Sequence, residues 1–174
     1  MWSINRVMKL IKIISFVLLI MTSSFSFGQN QKKDSTAKSI ILFVCEHGAA
    51  RSTIAAAYFN KMAKEKNLNY TAIFRGTDPD TSLSPDAKNG LLKDGFDIKD
   101  WQPQLVTQYD INNASEIITF DCAVPMEGNL AKSIYRWNGT PPISKGYQVA
   151  RDQIADKVII LIEELEQKKN LQKK

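Results

Sequence analysis

Residues 39–62 read SIILFVCEHGAARSTIAAAYFNKM. The first six are apolar and β-rich, with no alternation of polar and apolar positions. That pattern suits a strand buried on both faces, as in a parallel sheet. From Ser52 onward, Ile54, Ala55, Tyr58, Phe59 and Met62 recur at helical spacing, which predicts a helix ending near Asn67. Between strand and helix lies a loop of a cysteine, five residues, an arginine and a serine: Cys45, Glu46, His47, Gly48, Ala49, Ala50, Arg51 and Ser52.

Outward from this stretch the chain alternates. Residues 70–76 form a second strand candidate, and 77–85 a loop rich in Asp, Ser, Thr and Pro. Ser84-Pro85 has the form of an N-cap followed by proline at the first helical position; the helix runs to about Asp94, where Gly95 stops it. Residues 103–109 are expected to form a short helix, 115–120 a third strand, 122–132 an irregular loop and 133–137 a last short strand. A Pro/Gly loop at 138–146 leads into an amphipathic helix from Tyr147 to about Lys168. This order predicts an α/β domain over 39–170, a parallel sheet flanked by helices on both faces. Ligands of such sheets bind beyond the carboxyl ends of the strands, which is where Cys45 stands.

The 174 residues are 44% hydrophobic and 24% charged, an ordinary globular composition. The N-terminus differs. Arg6, Lys9 and Lys12 precede an almost continuous apolar run at 11–20, then small and polar residues up to Gly28. That is the order of a secretory signal, so 1–28 is expected to be cleaved and the mature protein exported to the periplasm or beyond. The apolar run is short of the ~20 residues a membrane span needs. Loss of the leader takes the formal charge from +5 to +2. Residues 29–38 are a polar, Lys-rich linker. No basic patch with interleaved aromatics is present, so nucleic acid is not an expected partner. One histidine and two separated cysteines make no zinc ligand set, and no dinucleotide fingerprint or Walker loop occurs, so neither metal nor cofactor is expected.

The loop at 45–52 carries the chemistry. A tight turn entering a helix directs successive amides inward, forming a nest for a tetrahedral oxyanion, and the helix terminus adds partial positive charge. Gly48 permits positive φ. Arg51 can grip two oxygens with its planar fork. The same field favours the charged form of a thiol, so Cys45 is read as a thiolate nucleophile, with Ser52 donating a hydrogen bond to the sulfur.

ILFVCEHGAARSTIAAAYFN resembles the opening of the low-molecular-weight protein tyrosine phosphatase and arsenate reductase superfamily. FRGTDPD, LSPDAKNGLLKDGFDIKDWQPQLVT and SEIITFDC resemble its later segments. The resemblance implies a four-stranded parallel sheet, Cys45 as nucleophile and Arg51 as transition-state clamp. It also implies a cysteinyl-phosphate or cysteinyl-arsenate intermediate and a phosphate- or arsenate-like oxyanion as substrate. The family's loop usually has Asn where Gly48 stands; Gly can take the same backbone angles.

The resemblance fails in one late loop. Phosphatases of the family carry an Asp-Pro pair whose Asp protonates the leaving group. Here the loop reads Trp137-Asn138-Gly139-Thr140-Pro141-Pro142, and neither Asn138 nor Gly139 is an acid. Asp78 and Asp121 are candidate substitutes. Cys122 is a candidate resolving thiol for arsenate reduction, an external thiol reductant being the alternative, while an even cysteine count in an exported chain equally suits a disulfide. The expected function is therefore phosphomonoester hydrolysis without the usual acid, with arsenate reduction and non-catalytic oxyanion binding as alternatives. His47 is expected to face solvent. Glu46 is expected to turn away or to pair with a cation such as Arg75. Trp101 and Trp137 suit either a pocket wall or core packing.

Overall fold

The computed structural model describes residues 37–125 and 134–171. The leader at 1–28, most of the linker at 29–38 and residues 126–132 of the expected irregular loop lie outside the described residues. The elements in chain order are β1 (Ser39–Cys45), α1 (Arg51–Glu65), β2 (Tyr70–Gly76), α2 (Pro85–Lys93), α3 (Gln108–Asn113), β3 (Ala114–Thr119) and β4 (Ile134–Arg136). A 3-10 turn (Ile143–Lys145) and α4 (Tyr147–Leu171) complete the fold. The four strands pair in the order β2-β1-β3-β4, and every pairing is parallel. This is the parallel α/β architecture that the alternation predicts, with the four strands that the resemblance implies. Among the described residues no helix is long and apolar enough to cross a membrane.

The absence of alternation in β1 has a direct cause. Ile41 and Phe43 face a core built with Ile54 and Phe59 of α1 and Ile154, Val158 and Leu161 of α4. Leu42 and Val44 face a smaller core with Val106, Ile111 and Ile117. All four strand residues are fully buried. Phe43 meets Phe59 edge-on at 6.0 Å, and truncating either ring would cost about 3–5 kcal/mol.

One expected element is placed differently. Residues 103–107 are extended rather than helical. The Gly76 amide donates to the Gln104 carbonyl at 2.8 Å, and the Val106 amide to the Gly76 carbonyl at 2.8 Å, so this stretch extends the pairing beside β2. The helix begins only at Gln108, where Thr107 and Asp110 cap each other's backbone amides. Asp110 also binds Arg75, Nε at 3.1 Å and Nη2 at 3.0 Å. Arg75 therefore anchors β2 to α3 and is not the partner of Glu46.

Asp94 ties three helices together. At the C-terminal end of α2 it accepts hydrogen bonds from Tyr58 of α1 (2.8 Å) and from Tyr147 of α4 (2.5 Å). Arg151 adds an ion pair at 3.2 Å. Burial works to raise the Asp94 pKa, but the bonds from Tyr147, Tyr58 and Arg151 outweigh it and hold the carboxyl below its usual range. A depressed folded-state pKa contributes stability above the ordinary carboxyl value of about 3.9, and that stability is lost as pH falls through the depressed value. Asp94→Asn should therefore lower the melting temperature by several degrees at pH 7 and flatten the loss of stability below about pH 4. Thermal scans between pH 3 and 7 check this; an acid limb as steep as the wild type's would contradict it.

Candidate active site

The loop between β1 and α1 is held by its carbonyl groups. Thr77 donates its amide to the Cys45 carbonyl (3.2 Å), Asp78 to Glu46 (2.8 Å), Asp80 to His47 (3.1 Å) and Ser84 to Ala49 (3.0 Å). The Thr53 hydroxyl takes the Gly48 carbonyl at 2.9 Å, and the Ile54 amide takes that of Ala50 at 2.9 Å. All six carbonyls from Cys45 to Ala50 are thus bound to the surrounding chain. In a trans peptide the following N–H points opposite to the C=O. Fixing the carbonyls outward therefore turns the amides of the loop inward. Among the described residues, the amides of His47, Gly48, Ala49 and Ala50 donate to no protein acceptor.

Two glycines make this arrangement fit. The β1–β2 register sets Cys45 beside Gly76, at the carboxyl end of the sheet. Gly48 has φ +61°, and a Cβ there would lie 2.8 Å from the Gly76 amide nitrogen. A Cβ on Gly76 would lie 2.9 Å from the Glu46 carbonyl oxygen and the Gly48 nitrogen. The loop and the end of β2 meet backbone to backbone, and no side chain fits on either side.

Cys45 is buried (5% exposed), and its Sγ lies 3.1 Å from the Ser52 Oγ, also fully buried. Arg51 opens α1, and its side chain is mostly buried. Its Nη1 donates to Asp121 Oδ2 at 2.5 Å and to the Thr140 carbonyl at 3.2 Å, and its Nη2 to the Phe120 carbonyl at 3.5 Å. A guanidinium has five donors. Three are bound to protein acceptors, leaving Nε–H and one Nη2–H, the pair that grips an oxyanion side-on.

Asp121 bridges Arg51 to the late loop. Its Oδ1 accepts from the Gly139 amide at 2.9 Å, and its own backbone sits at φ +50°. The Gly139 amide first, and the Arg51 guanidinium with it, hold the carboxyl below its usual range. Such a group is ionised at neutral pH and is a poor proton donor; it orients the guanidinium instead. Cys122 lies beyond it, half-buried, with its thiol donating to the Val44 carbonyl at 3.5 Å. Burial pushes the Cys122 thiol up, and nearby Cys45 adds to this. Both cysteines are free thiols.

The rim residues face outward. Glu46 is exposed, with His47 Nε2 3.9 Å away; His47 Nδ1 lies 3.3 Å from the Asp78 carbonyl and 3.6 Å from Asp80. Asp78 and Asn138 are also exposed. Trp101 packs on Phe74 at 5.2 Å, and Trp137 on Phe43 and Phe120 at 5.6 and 5.5 Å, so both serve the core. Among the described residues no cluster of ligating side chains suits a metal ion.

Residues 40–136, more than half of the chain, match the family described as low molecular weight phosphotyrosine protein phosphatase. The chain belongs to that family. Solved structures share the fold. A thioredoxin-dependent arsenate reductase from Corynebacterium glutamicum is 21% identical, with a TM-score of 0.66 over 79% of this chain and 67% of its own. An arsenate reductase from Archaeoglobus fulgidus is 25% identical, with a TM-score of 0.57 over 71% and 98%. A low molecular weight phosphotyrosine phosphatase from Vibrio cholerae O395 is 20% identical, with a TM-score of 0.60 over 75% and 98%. No curated protein matches the chain.

In this member of the phosphatase family, several residues that shape the loop escape a reading of the motif alone. Gly76 and Thr53 were each readable only as a strand end and a helix position, yet both fix the loop. Thr140, within the late loop, supplies the backbone oxygen that helps to aim Arg51. Gly48→Ala should lower stability by about 1–3 kcal/mol through strain at positive φ, before the clash with Gly76 is added. Denaturant unfolding tests this, and a neutral outcome would mean that the two backbones are not in contact. Asp121→Asn should weaken the binding of inorganic phosphate about tenfold with the fold intact, because Arg51 loses its charged anchor. Unchanged affinity in calorimetry would mean that Asp121 does not aim Arg51.

Proposed function

We propose that this chain is a cysteine-dependent phosphatase acting on phosphomonoesters through a Cys45 phosphoenzyme. The observation that carries the reading is the carbonyl-locked loop, with its inward amides, the Cys45 sulfur beside Ser52, and Arg51 anchored so that one edge remains for an oxyanion. The Cys45 Sγ attacks phosphorus as the P–O bond breaks, and the electron pair leaves on the departing oxygen. Inward amides and the Arg51 edge stabilise the charge on the equatorial oxygens. Water then attacks phosphorus, the S–P bond breaks, phosphate leaves and the sulfur regains its electron pair, supported by the Ser52 hydroxyl.

Asn138 and Gly139 stand where relatives carry an acid, and Asp121 is held ionised. Asp78, exposed at the rim, is the candidate acid that remains, so the leaving oxygen takes its proton from Asp78 or from water, or departs unprotonated. This favours esters of acidic alcohols such as phenols. Nitrophenyl phosphate should give a burst of nitrophenol that disappears in Cys45→Ser. Asn138→Asp should raise turnover of phenyl phosphate tenfold or more, within the range of about 10²–10⁴ for general acid help. No burst, or no gain in the variant, would count against the mechanism.

Arsenate reduction is the second reading, supported by the position of Cys122 near Cys45. After Cys45 binds arsenate, a thiol attacks the Cys45 sulfur. An S–S bond forms, the S–As bond breaks, and two electrons pass to arsenic to release arsenite. Cys122 is a protonated, half-buried thiol, which favours an external thiol for this step. Conversion of arsenate to arsenite that depends on added thiol, without nitrophenyl phosphate turnover, would replace the first reading by this one. Tight phosphate binding with neither activity would point to a non-catalytic oxyanion binder. The reading also places the mature domain outside the cytoplasm, on the strength of the basic and apolar leader. The exported protein should have a mass beginning at Gln29.

A further inference from the structure

A second concave feature adjoins the site on the side away from Asp78. A cleft of about 420 Å³ lies at the carboxyl ends of β3 and β4, lined by Thr119, Asp121, Cys122, Val124, Arg136 and Asn138 among others. Asp121 belongs to both sites, since its carboxylate binds Arg51 while the residue lines the cleft. The volume lies within the range of small-molecule sites.

Three side chains of this cleft, those of Thr119, Arg136 and Asn138, have no hydrogen-bond partner among the described residues. Thr119 is 2% exposed, and its hydroxyl has no hydrogen-bond partner among the described residues. A buried, unpaired hydroxyl is disfavoured by about 1–3 kcal/mol and is rare without a purpose. Arg136 is exposed and makes no ion pair or hydrogen bond among the described residues, and the Asn138 amide makes none either. Among the described residues of the wall the one acid, Asp121, is already engaged by Arg51 and Gly139. The cleft therefore offers a guanidinium, an amide and a hydroxyl above an apolar floor of Val124 and Ile134.

We propose that this cleft is a leaving-group subsite for phosphomonoesters whose alcohol part carries a second anion, a carboxylate being the simplest case. The phosphoryl group would sit in the loop at 45–51, and the leaving group would extend past Asp121. Its carboxylate meets Arg136 and Asn138, and a polar atom of the leaving group meets the Thr119 hydroxyl. The proposal rests on the phosphatase reading and gives it a substrate class.

Kinetics with 3-carboxyphenyl phosphate and phenyl phosphate test it. Wild-type kcat/KM should favour the carboxylated ester by roughly tenfold or more, the scale of one charge-assisted hydrogen bond. Arg136→Gln should abolish the preference and leave phenyl phosphate turnover unchanged. Thr119→Val should also reduce the preference without lowering the melting temperature, because it replaces an unpaired hydroxyl by a methyl of the same shape. Equal kcat/KM for the two esters, or a preference that survives both substitutions, would overturn the subsite. Failure of the phosphatase reading looks different: neither ester, nor nitrophenyl phosphate, is hydrolysed. Calorimetry on Cys45→Ser then decides. Tighter binding of 3-carboxyphenyl phosphate than of inorganic phosphate, lost on adding Arg136→Gln, upholds the cleft, and equal binding overturns it.

Discussion

The candidate site depends on six backbone carbonyls being pulled outward. Each oxygen from Cys45 to Ala50 is bound by a donor from the segment after β2 or from the first turn of α1. Peptide planarity converts that outward pull into an inward array of amides. No charged side chain can substitute for this effect, because the array is set by backbone direction alone. The contact between Gly48 and Gly76 lets the two segments approach closely enough for the bonds to form. The sheet contributes the register that sets Cys45 against Gly76, and α1 contributes the helix terminus behind the loop.

Arg51 is the second fixed element, and it is oriented from a distance in sequence. Asp121 follows β3 and Thr140 belongs to the late loop, yet both hold the same Nη1. The guanidinium is thereby aimed by its own rear contacts. The same two contacts couple the loop at 45–51 to the late loop, so a change at 138–140 is felt at Arg51. In this chain the late loop contributes backbone groups, the Gly139 amide that holds Asp121 and the Thr140 carbonyl that holds Arg51. The described residues thus assemble the parts that bind an oxyanion, while the late loop at 138–142 carries no acidic side chain.

Much of this was legible in the sequence, and the reasons are specific. SIILFV without alternation implies burial on both faces, and the two hydrophobic clusters on either side of β1 account for it. Ser84-Pro85 marked the start of α2, and the Ser84 hydroxyl accepts from the Ala87 amide as an N-cap should. Local signals failed where the deciding partner is remote. Residues 103–107 carry no strong helix breaker after Pro103, and only Gly76, some thirty residues earlier, draws them into extended pairing. Arg75 looked like a partner for Glu46 because both lie near the loop. Its true partner, Asp110, lies one residue past the helix expected at 103–109 and belongs to α3, which runs from Gln108 to Asn113. The hold of Asp121 on Arg51 spans seventy positions, and no spacing rule reports it.

A crystal structure of the Cys45→Ser variant with inorganic phosphate would test the central claim most directly. The account predicts phosphorus directly above residue 45, phosphate oxygens accepting from the amides of the loop, and the Nε and Nη2 edge of Arg51 gripping two of them while Asp121 keeps its hold on Nη1. Phosphate bound elsewhere, or an Arg51 guanidinium released from Asp121 and turned to solvent, would contradict it.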